Sequence, residues 1–515
     1  VIDVVNRHLW KGMMEQWWLF FFASISITFL LKFFLPSPSR RPPLPPGKFG
    51  LPLIGNIEFL KLPFVEFEPV IRALHRKLGP IVSLRIGART AIFISDRTMA
   101  HEALVQRGSV FADRPSPLAT GRILSSNQHS INSARYGATW RLLRRNLTSE
   151  ILHHSRVRAF SSARKRSLDL LVDRLGRSQG SVEVIDHINH AMYYLLAVMC
   201  FGIWLEDDQV GEIARVEKRM LQNAFKYNIL NVFPSISRVL LRKKWREFLQ
   251  IRSEQVEVIS PLIKAREKVL KEGKSQQTVA YVDSLYNLEL PEEKRKLTDD
   301  ELVTLCNEFL NAGTDTTSSS LQWILANLVK HPEIQEKLHI EIKQVLKDND
   351  GDLVDEEQLG KMQYLRAVVL EGLRRHPPGH FVLPHAVTED VILGGHLVPK
   401  KGSVNFMVAD IGWDPAVWEA PMEFRPERFA GEEGFDITGR REIRMMPFGA
   451  GRRMCPGYAM ALLHLEFFVA NLVWRFEWRT AEDGAVDLSE KQEFTVVMKH
   501  PLRVVLTPRV AHHGG

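Results

Sequence analysis

The sequence predicts a mainly α chain with small β-sheets (α+β), carried behind an N-terminal transmembrane helix. Three patterns support that prediction. Apolar residues recur at helical spacing, amid Ala, Arg, Lys and Glu, over most of 97–375. Short β-rich runs flank this block at 81–86 and 91–94, and strand-like pieces return within 381–408 and 493–507. Residues 17–35, WWLFFFASISITFLLKFFL, form one apolar run that as a helix is roughly 28 Å long, just enough to span a bilayer.

The chain has 515 residues, 45% of them hydrophobic and 25% charged. That composition is ordinary for a globular protein and excludes a disordered chain, a collagen and a multi-span membrane protein. Sixty-eight Lys and Arg against 60 Asp and Glu leave a net charge of +8, which suits an acidic partner or an anionic membrane surface. The cysteines are few and odd in number (Cys200, Cys306 and Cys455), which argues for a reducing compartment rather than a disulfide framework.

Taken in order, the chain opens at Val1, and Met13 and Met14 directly precede the apolar run, so residues 1–12 read as a non-native upstream extension. Residues 13–35 are the expected anchor, with Trp17 and Trp18 at an interface and Lys32 able to snorkel. Arg40, Arg41 and Lys48 follow the run and Glu15 precedes it, so the positive-inside bias places the rest in the cytosol as a single-pass protein. The Asn146-Leu147-Thr148 sequon is then expected to be unused. Residues 36–47 are a stiff Pro-rich hinge, 48–508 a single catalytic domain and 509–515 a tail.

Thr298 and Glu301 make a capping-box pattern, and helical spacing then runs to Lys330, with Pro332 as the stop. The middle of this long helix reads Ala312-Gly313-Thr314-Asp315-Thr316-Thr317, where Gly and Thr are poor helix formers. A polar break there is either a tolerated weak spot or a functional site. Near the C-terminus, Pro447-Phe448-Gly449-Ala450-Gly451-Arg452-Arg453-Met454-Cys455-Pro456-Gly457 precedes an amphipathic helix pattern from Tyr458. The glycines permit a tight loop and close approach to a flat cofactor. A helix N-terminus favours thiolate, and neighbouring N–H groups can donate to the sulfur. On its own, such a cysteine is a nucleophile, a redox sensor, an axial metal ligand or simply structural.

The order F-x-x-G-x-R-x-C-x-G, met by Phe448, Gly451, Arg453, Cys455 and Gly457, resembles the haem-ligand loop of the cytochrome P-450 family. Other segments agree in order. Trp140-Arg141-Leu142-Leu143-Arg144 resembles the family's W-x-x-x-R helix, and Ala312 to Thr317 its oxygen-activation helix. Glu371-Gly372-Leu373-Arg374 resembles its E-x-x-R, and Pro426-Glu427-Arg428-Phe429 its P-E-R-F segment. The texture is that of plant microsomal members.

The resemblance implies the cytochrome P-450 fold and haem b, with Cys455 as axial iron ligand and Phe448, Gly449, Gly451, Arg453 and Gly457 around the cofactor. It implies that Trp140 and Arg144 bind the haem propionates with Arg453, and that His385 stands where the family often has Arg. Glu371, Arg374 and Arg428 would be a buried network holding the Cys loop. From spacing alone, Glu371 and Arg374 are equally a solvated i,i+3 pair. Asp315 and Thr316 would be the catalytic acid–alcohol pair that delivers protons, while the thiolate favours O–O cleavage. Ala312, Gly313, Phe381 and Val382 are candidate pocket residues, as are stretches within 116–132 and 226–237.

The expected protein is a membrane-anchored haem-thiolate monooxygenase of the endoplasmic reticulum, monomeric, inserting one oxygen atom from O2 into a lipophilic small molecule. The chain shows no dinucleotide or flavin motif, so NADPH would act through a cytochrome P-450 reductase, docking on basic residues such as Arg141, Arg145 and Arg452. No nucleic-acid partner is expected. The alternatives are a haem-thiolate isomerase or dehydratase acting on peroxides, and a non-catalytic haem binder. The intact Asp315-Thr316 pair argues against both. In texture the chain comes closest to a plant subfamily that oxidises linear tetrapyrroles from chlorophyll breakdown, with plant lipid or fatty-acid hydroxylation competing. The alternating Asp348, Asp350 and Asp352 fail the calcium-loop pattern, and His153-His154 and His512-His513 lack metal-site context.

Overall fold

The computed structural model describes Ser24, residues 42–48 and residues 64–509 apart from 87–88, 179, 224–225, 232, 274–278, 347–352, 432–433 and 482–485. The anchor at 17–35 (save Ser24), the extension 1–12 and the acidic loop at 348–352 therefore lie outside the described residues. Among the described residues no helix is long and apolar enough to cross a membrane.

One sheet is assembled from both ends of the chain. Its strands are β1 (Gly47–Lys48), β2 (Ile81–Ile86), β3 (Arg89–Ile94), β4 (His385–Ala386) and β5 (Ser403–Phe406), in the order β1-β2-β3-β5-β4. β2 and β3 pair antiparallel, and β5 joins β3 in parallel with Ser403 opposite Ala91 and Phe406 opposite Ile94. Both faces are buried. Ile92, Ile94, Val404 and Phe406 pack on one side, and Val82, Leu84, Ala91 and Phe93 on the other with helix α1 (Phe64–Leu78). Period-two alternation makes such two-sided burial possible only where both sets are apolar. Ser83, buried within β2, satisfies its hydroxyl by donating to the Pro45 carbonyl at 2.6 Å.

The helical body contains α2 (Ala138–Glu150), α3 (Ile185–Phe201), α4 (Asp207–Asn223), α5 (Arg242–Lys271), α6 (Asp299–Lys330), α7 (Gln363–Arg375) and α8 (Tyr458–Arg475). The predicted capping box starts α6. Thr298 Oγ1 accepts the Glu301 N–H at 3.3 Å, and the Glu301 carboxylate accepts the Thr298 N–H at 2.8 Å. α6 is buried along most of its length because α3, α5, α7 and α8 all pack against it. Its polar centre does not interrupt the helix. A Cβ on Gly313 would lie 2.4 Å from Leu196 Cδ1 of α3. The half-buried glycine thus leaves room for the Leu196 side chain of α3. A hairpin of β6 (Glu490–Gln492) and β7 (Val496–Met498) packs on α6 near the C-terminus.

All three cysteines are free thiols, as their sparse number predicted. Asn146 is buried and donates from Nδ2 to Ser284 Oγ at 2.8 Å, so the sequon is closed off within the folded chain.

Candidate functional site

Cys455 lies in the loop that leads into α8. Its N–H donates to the Phe448 carbonyl at 2.8 Å, closing the loop on itself. Gly449 and Gly451 have φ of +68° and +69°, which side chains rarely adopt. A Cβ on Gly451 would also sit 1.8 Å from the Leu104 carbonyl oxygen, so the loop presses against a π-helical turn at Glu102–Gln106. Burial pushes the Cys455 thiol up, while the Gly457 N–H and the Arg144 guanidinium pull it down. Val382 borders the loop, with Cγ1 3.8 Å from where a Gly449 side chain would begin. Phe381, half-buried, packs edge-on against Phe93, centroids 6.1 Å apart, beside the core under the sheet.

A buried network from α7 holds the segment around 412–428 that precedes the loop. Glu371 and Arg374 are fully buried and paired, with Arg374 Nε and Nη2 donating to the carboxylate at 2.7 and 2.8 Å. Glu371 Oε1 also accepts from the Arg425 N–H at 2.8 Å and from Arg428 Nε at 3.3 Å. The remaining Arg374 donors reach the carbonyls of Gly412, Pro421 and Glu423. The pair is therefore a buried, saturated node and not a solvated surface contact.

Beside the loop, three guanidiniums converge. Arg453 donates to the carbonyls of Ala112, Ile131 and Ala134 at 2.7, 3.1 and 2.6 Å, and its guanidinium stacks 4.6 Å from the Trp140 ring. Arg144 donates to the Met454 carbonyl at 2.5 Å. Arg114 donates to the carbonyls of Asn132, Leu383 and Pro384. Among the described residues these three guanidiniums form hydrogen bonds only with carbonyls. Burial and then mutual repulsion hold Arg453 down to about 9, and burial holds Arg114 down to about 10. Trp140 Nε1 is buried with no partner. Such a donor set suits a dianion.

His385 shares this neighbourhood but carries no charge. Its Nδ1 lies 2.7 Å from the Phe111 carbonyl, and burial with the nearby Arg114 and Arg453 pushes it down to about 3. Arg114 adds a guanidinium beside His385, bonded to the carbonyls of the two residues before that histidine. The sequence offers no local signal for Arg114, because only the fold brings 113–114 beside 383–385.

On α6, Ala312 and Thr316 are accessible in the middle of an otherwise buried helix. Thr316 Oγ1 donates to the Ala312 carbonyl at 2.7 Å, an i−4 bond that leaves its lone pairs free. Asp315 Oδ2 is buried without a partner. Burial pushes the carboxyl up to about 6, with the Thr495 hydroxyl acting against that rise and Glu493 adding to it. A second buried acid, Glu217 of α4, accepts from Asn311 Nδ2 at 2.6 Å and from Gln255 Nε2 of α5 at 3.3 Å. Burial lifts it to about 7. Neither Glu217 nor Thr495 carries a sequence signature. Among the described residues no cluster of three or more His, Cys, Asp and Glu could hold a metal ion.

Residues 45–507 match the sequence pattern of the cytochrome P-450 family. The chain is 51% identical to cytochrome P-450 89A9 of Arabidopsis thaliana, over 90% of this chain and 94% of that protein. It is 30% identical to an isoflavone 3'-hydroxylase of Medicago truncatula, over 95% and 97%. A zebra fish cytochrome P-450 solved with progesterone superposes with a TM-score of 0.72 at 23% identity, over 87% of this chain and 100% of that one, a likeness of fold.

Proposed function

This chain is a monooxygenase of the cytochrome P-450 family, and from that premise we propose that it inserts one oxygen atom from O2 into a lipophilic small molecule, with electrons from an NADPH-dependent reductase at the endoplasmic reticulum membrane. The single observation that carries the reading is the gathering of Cys455 with Arg114, Arg144, Arg453 and Trp140. Unshared guanidinium N–H groups and the orphaned Trp140 Nε1 fit the two propionates of haem b, and Cys455 fits its iron. Haem, when bound there, supplies the iron at which O2 is activated.

The chain's own residues do the rest. Glu371, Arg374 and Arg428 fix the loop so that Cys455 keeps one position. The Gly457 N–H donates toward the sulfur and moderates its electron donation. Asp315, raised to about 6 by burial, takes up and gives back a proton closer to neutral pH than an ordinary carboxylate, and Thr316 passes protons on the accessible face of α6. Ala312 and Val382 border the reacting space.

Two surfaces support the partners. Arg141 and Arg452 both lean on Tyr136, 5.6 and 5.7 Å from its ring, and with exposed Arg145 they form a basic face for an acidic reductase. Ile229, Phe233, Ile236, Val239 and Leu240 are exposed beside Arg238, Lys243 and Lys244, a patch suited to an anionic bilayer. A substrate dissolved in the membrane would reach the site from that side, and linear tetrapyrroles and long-chain fatty acids head the list of substrates to try. The test is turnover in membranes with the reductase, NADPH and ¹⁸O2. The reading expects a product heavier by one labelled oxygen, formed only with NADPH. Product that forms without NADPH, or without label from O2, would overturn it.

A further inference from the structure

α2 begins without a cap of its own. Its N-cap residue is Gly137, which has no side chain to accept the free N–H groups of the first turn. The cap comes from a distant segment. Glu292 Oε1 accepts the Ala138 N–H at 3.2 Å, and Glu292 Oε2 accepts from the Thr139 hydroxyl. A Cβ on Gly137 would lie 3.1 Å from Glu292 Oε1, so the glycine leaves room for the carboxylate to reach the helix end. The Thr139 hydroxyl holds the Glu292 carboxyl below its ordinary 4.5, and a negative charge there suits the positive end of the α2 dipole.

Such a cap works only if its carrier is fixed. Glu292 sits in the turn of a two-stranded hairpin, Glu289–Leu290 paired antiparallel with Arg295–Lys296, just ahead of α6. Leu290 is fully buried, and the Lys294 N–H donates to its carbonyl at 2.8 Å to close the turn. Arg295 binds the first turn of α6, with Nη1 and Nη2 donating to the two Glu301 oxygens at 2.8 and 2.7 Å. On the other side, Glu293 Oε1 lies 2.7 Å from His129 Nε2. Further along the His129 segment are the Ile131 and Ala134 carbonyls that receive Arg453. The hairpin is thus fastened to α6, to the segment beside Arg453 and to the start of α2.

We propose that Glu292 is a positioning residue for the cofactor: by capping α2 from the hairpin, it sets where Trp140 and Arg144 stand beside the Cys455 loop. Trp140 lies in the first turn of α2, two residues after the Ala138 N–H that Glu292 holds, and its Nε1 is a buried donor without a partner. Arg144 follows one turn later on the same helix face and reaches the Met454 carbonyl at 2.5 Å. A first turn that frays displaces Trp140 directly and loosens the turn that carries Arg144. The proposal rests on the reading in which Cys455 ligates haem, and it adds a residue from a segment outside the family motifs.

The test uses the whole chain, loaded with haem, and four variants: Glu292→Ala, Glu292→Gln, Thr139→Val and, as a control on the same hairpin, Glu289→Gln. Amide hydrogen exchange followed by mass spectrometry reads the first turn of α2. Glu292→Ala should speed that exchange about fivefold, as expected for a lost cap. Transfer of haem to excess apomyoglobin should quicken by a similar factor, and the propionate bending band in the resonance Raman spectrum should shift. Thr139→Val should act in the same direction and less strongly. Glu292→Gln, which keeps an oxygen to accept from the Thr139 hydroxyl, should restore the wild-type values, and Glu289→Gln should leave every measurement where it was. Unchanged haem loss with an unshifted propionate band in Glu292→Ala would overturn the proposal even if exchange quickens, because the cap would then serve the helix alone. Equal changes in Glu289→Gln would overturn it too. Wild-type protein that binds no haem would overturn the haem reading and the proposal with it, whereas wild-type protein that holds haem no longer than the Glu292→Ala variant overturns the proposal alone.

Discussion

The two sides of the molecule treat buried polar groups in opposite ways. At the end of α7, the Glu371 carboxylate accepts from Arg374, Arg425 and Arg428, and each Arg374 nitrogen has a partner. Along α6, Asn311 Oδ1, Thr314 Oγ1, Asp315 Oδ2 and Ser318 Oγ are buried without partners. In the same low-dielectric interior, a saturated network holds one geometry, whereas open valences leave groups that can gain or pass a proton. The first side is built to stay still and the second to exchange.

That contrast breaks most visibly at Arg374. Arg374→Ala should strand a buried carboxylate and three carbonyls, at a cost of about 3–5 kcal/mol. Chemical denaturation, or loss of soluble holoenzyme, would record it. A near-neutral result would mean the saturated side is not the structural one.

The exchanging side should reveal itself through pH. Glu217 is raised from an ordinary 4.5 to about 7 by burial. The folded chain therefore binds this proton more tightly than the unfolded chain, so this group's contribution to stability is greatest below pH 4.5 and is lost as pH rises to 7. Glu217→Gln should remove about 3 kcal/mol of that pH dependence. Denaturation of both proteins at each end of the window checks it, and an unaltered slope would show the charge to be compensated.

The smallest expected effect is at Gly313. Gly313→Ala places a Cβ 2.4 Å from Leu196 Cδ1, so the Leu196 side chain must turn or α3 must shift, at about 1–3 kcal/mol. Thermal unfolding should show the loss. Unchanged stability would mean that Leu196 swings aside freely.

What the sequence made legible was whatever is local. The Cys455 loop, the capping box of Thr298 and Glu301 and the i,i+3 pair of Glu371 and Arg374 each announce themselves within a dozen residues. Legibility failed where a contact joins distant segments. Arg114 meets Leu383 and Pro384 only once β3 and β5 pair, and Ser319 and Trp323 meet the Val496 carbonyl only once the C-terminal hairpin docks.

The central claim is that the saturated side exists to hold Cys455 as an iron ligand. The most direct measurement is the carbon monoxide difference spectrum of the reduced protein, recorded beside Cys455→Ala. The account predicts a thiolate-type, red-shifted Soret band in the wild type and its loss in the variant, with the unfolding midpoint nearly preserved. A band that survives the substitution, or a well-folded wild-type chain that binds no haem, would contradict it.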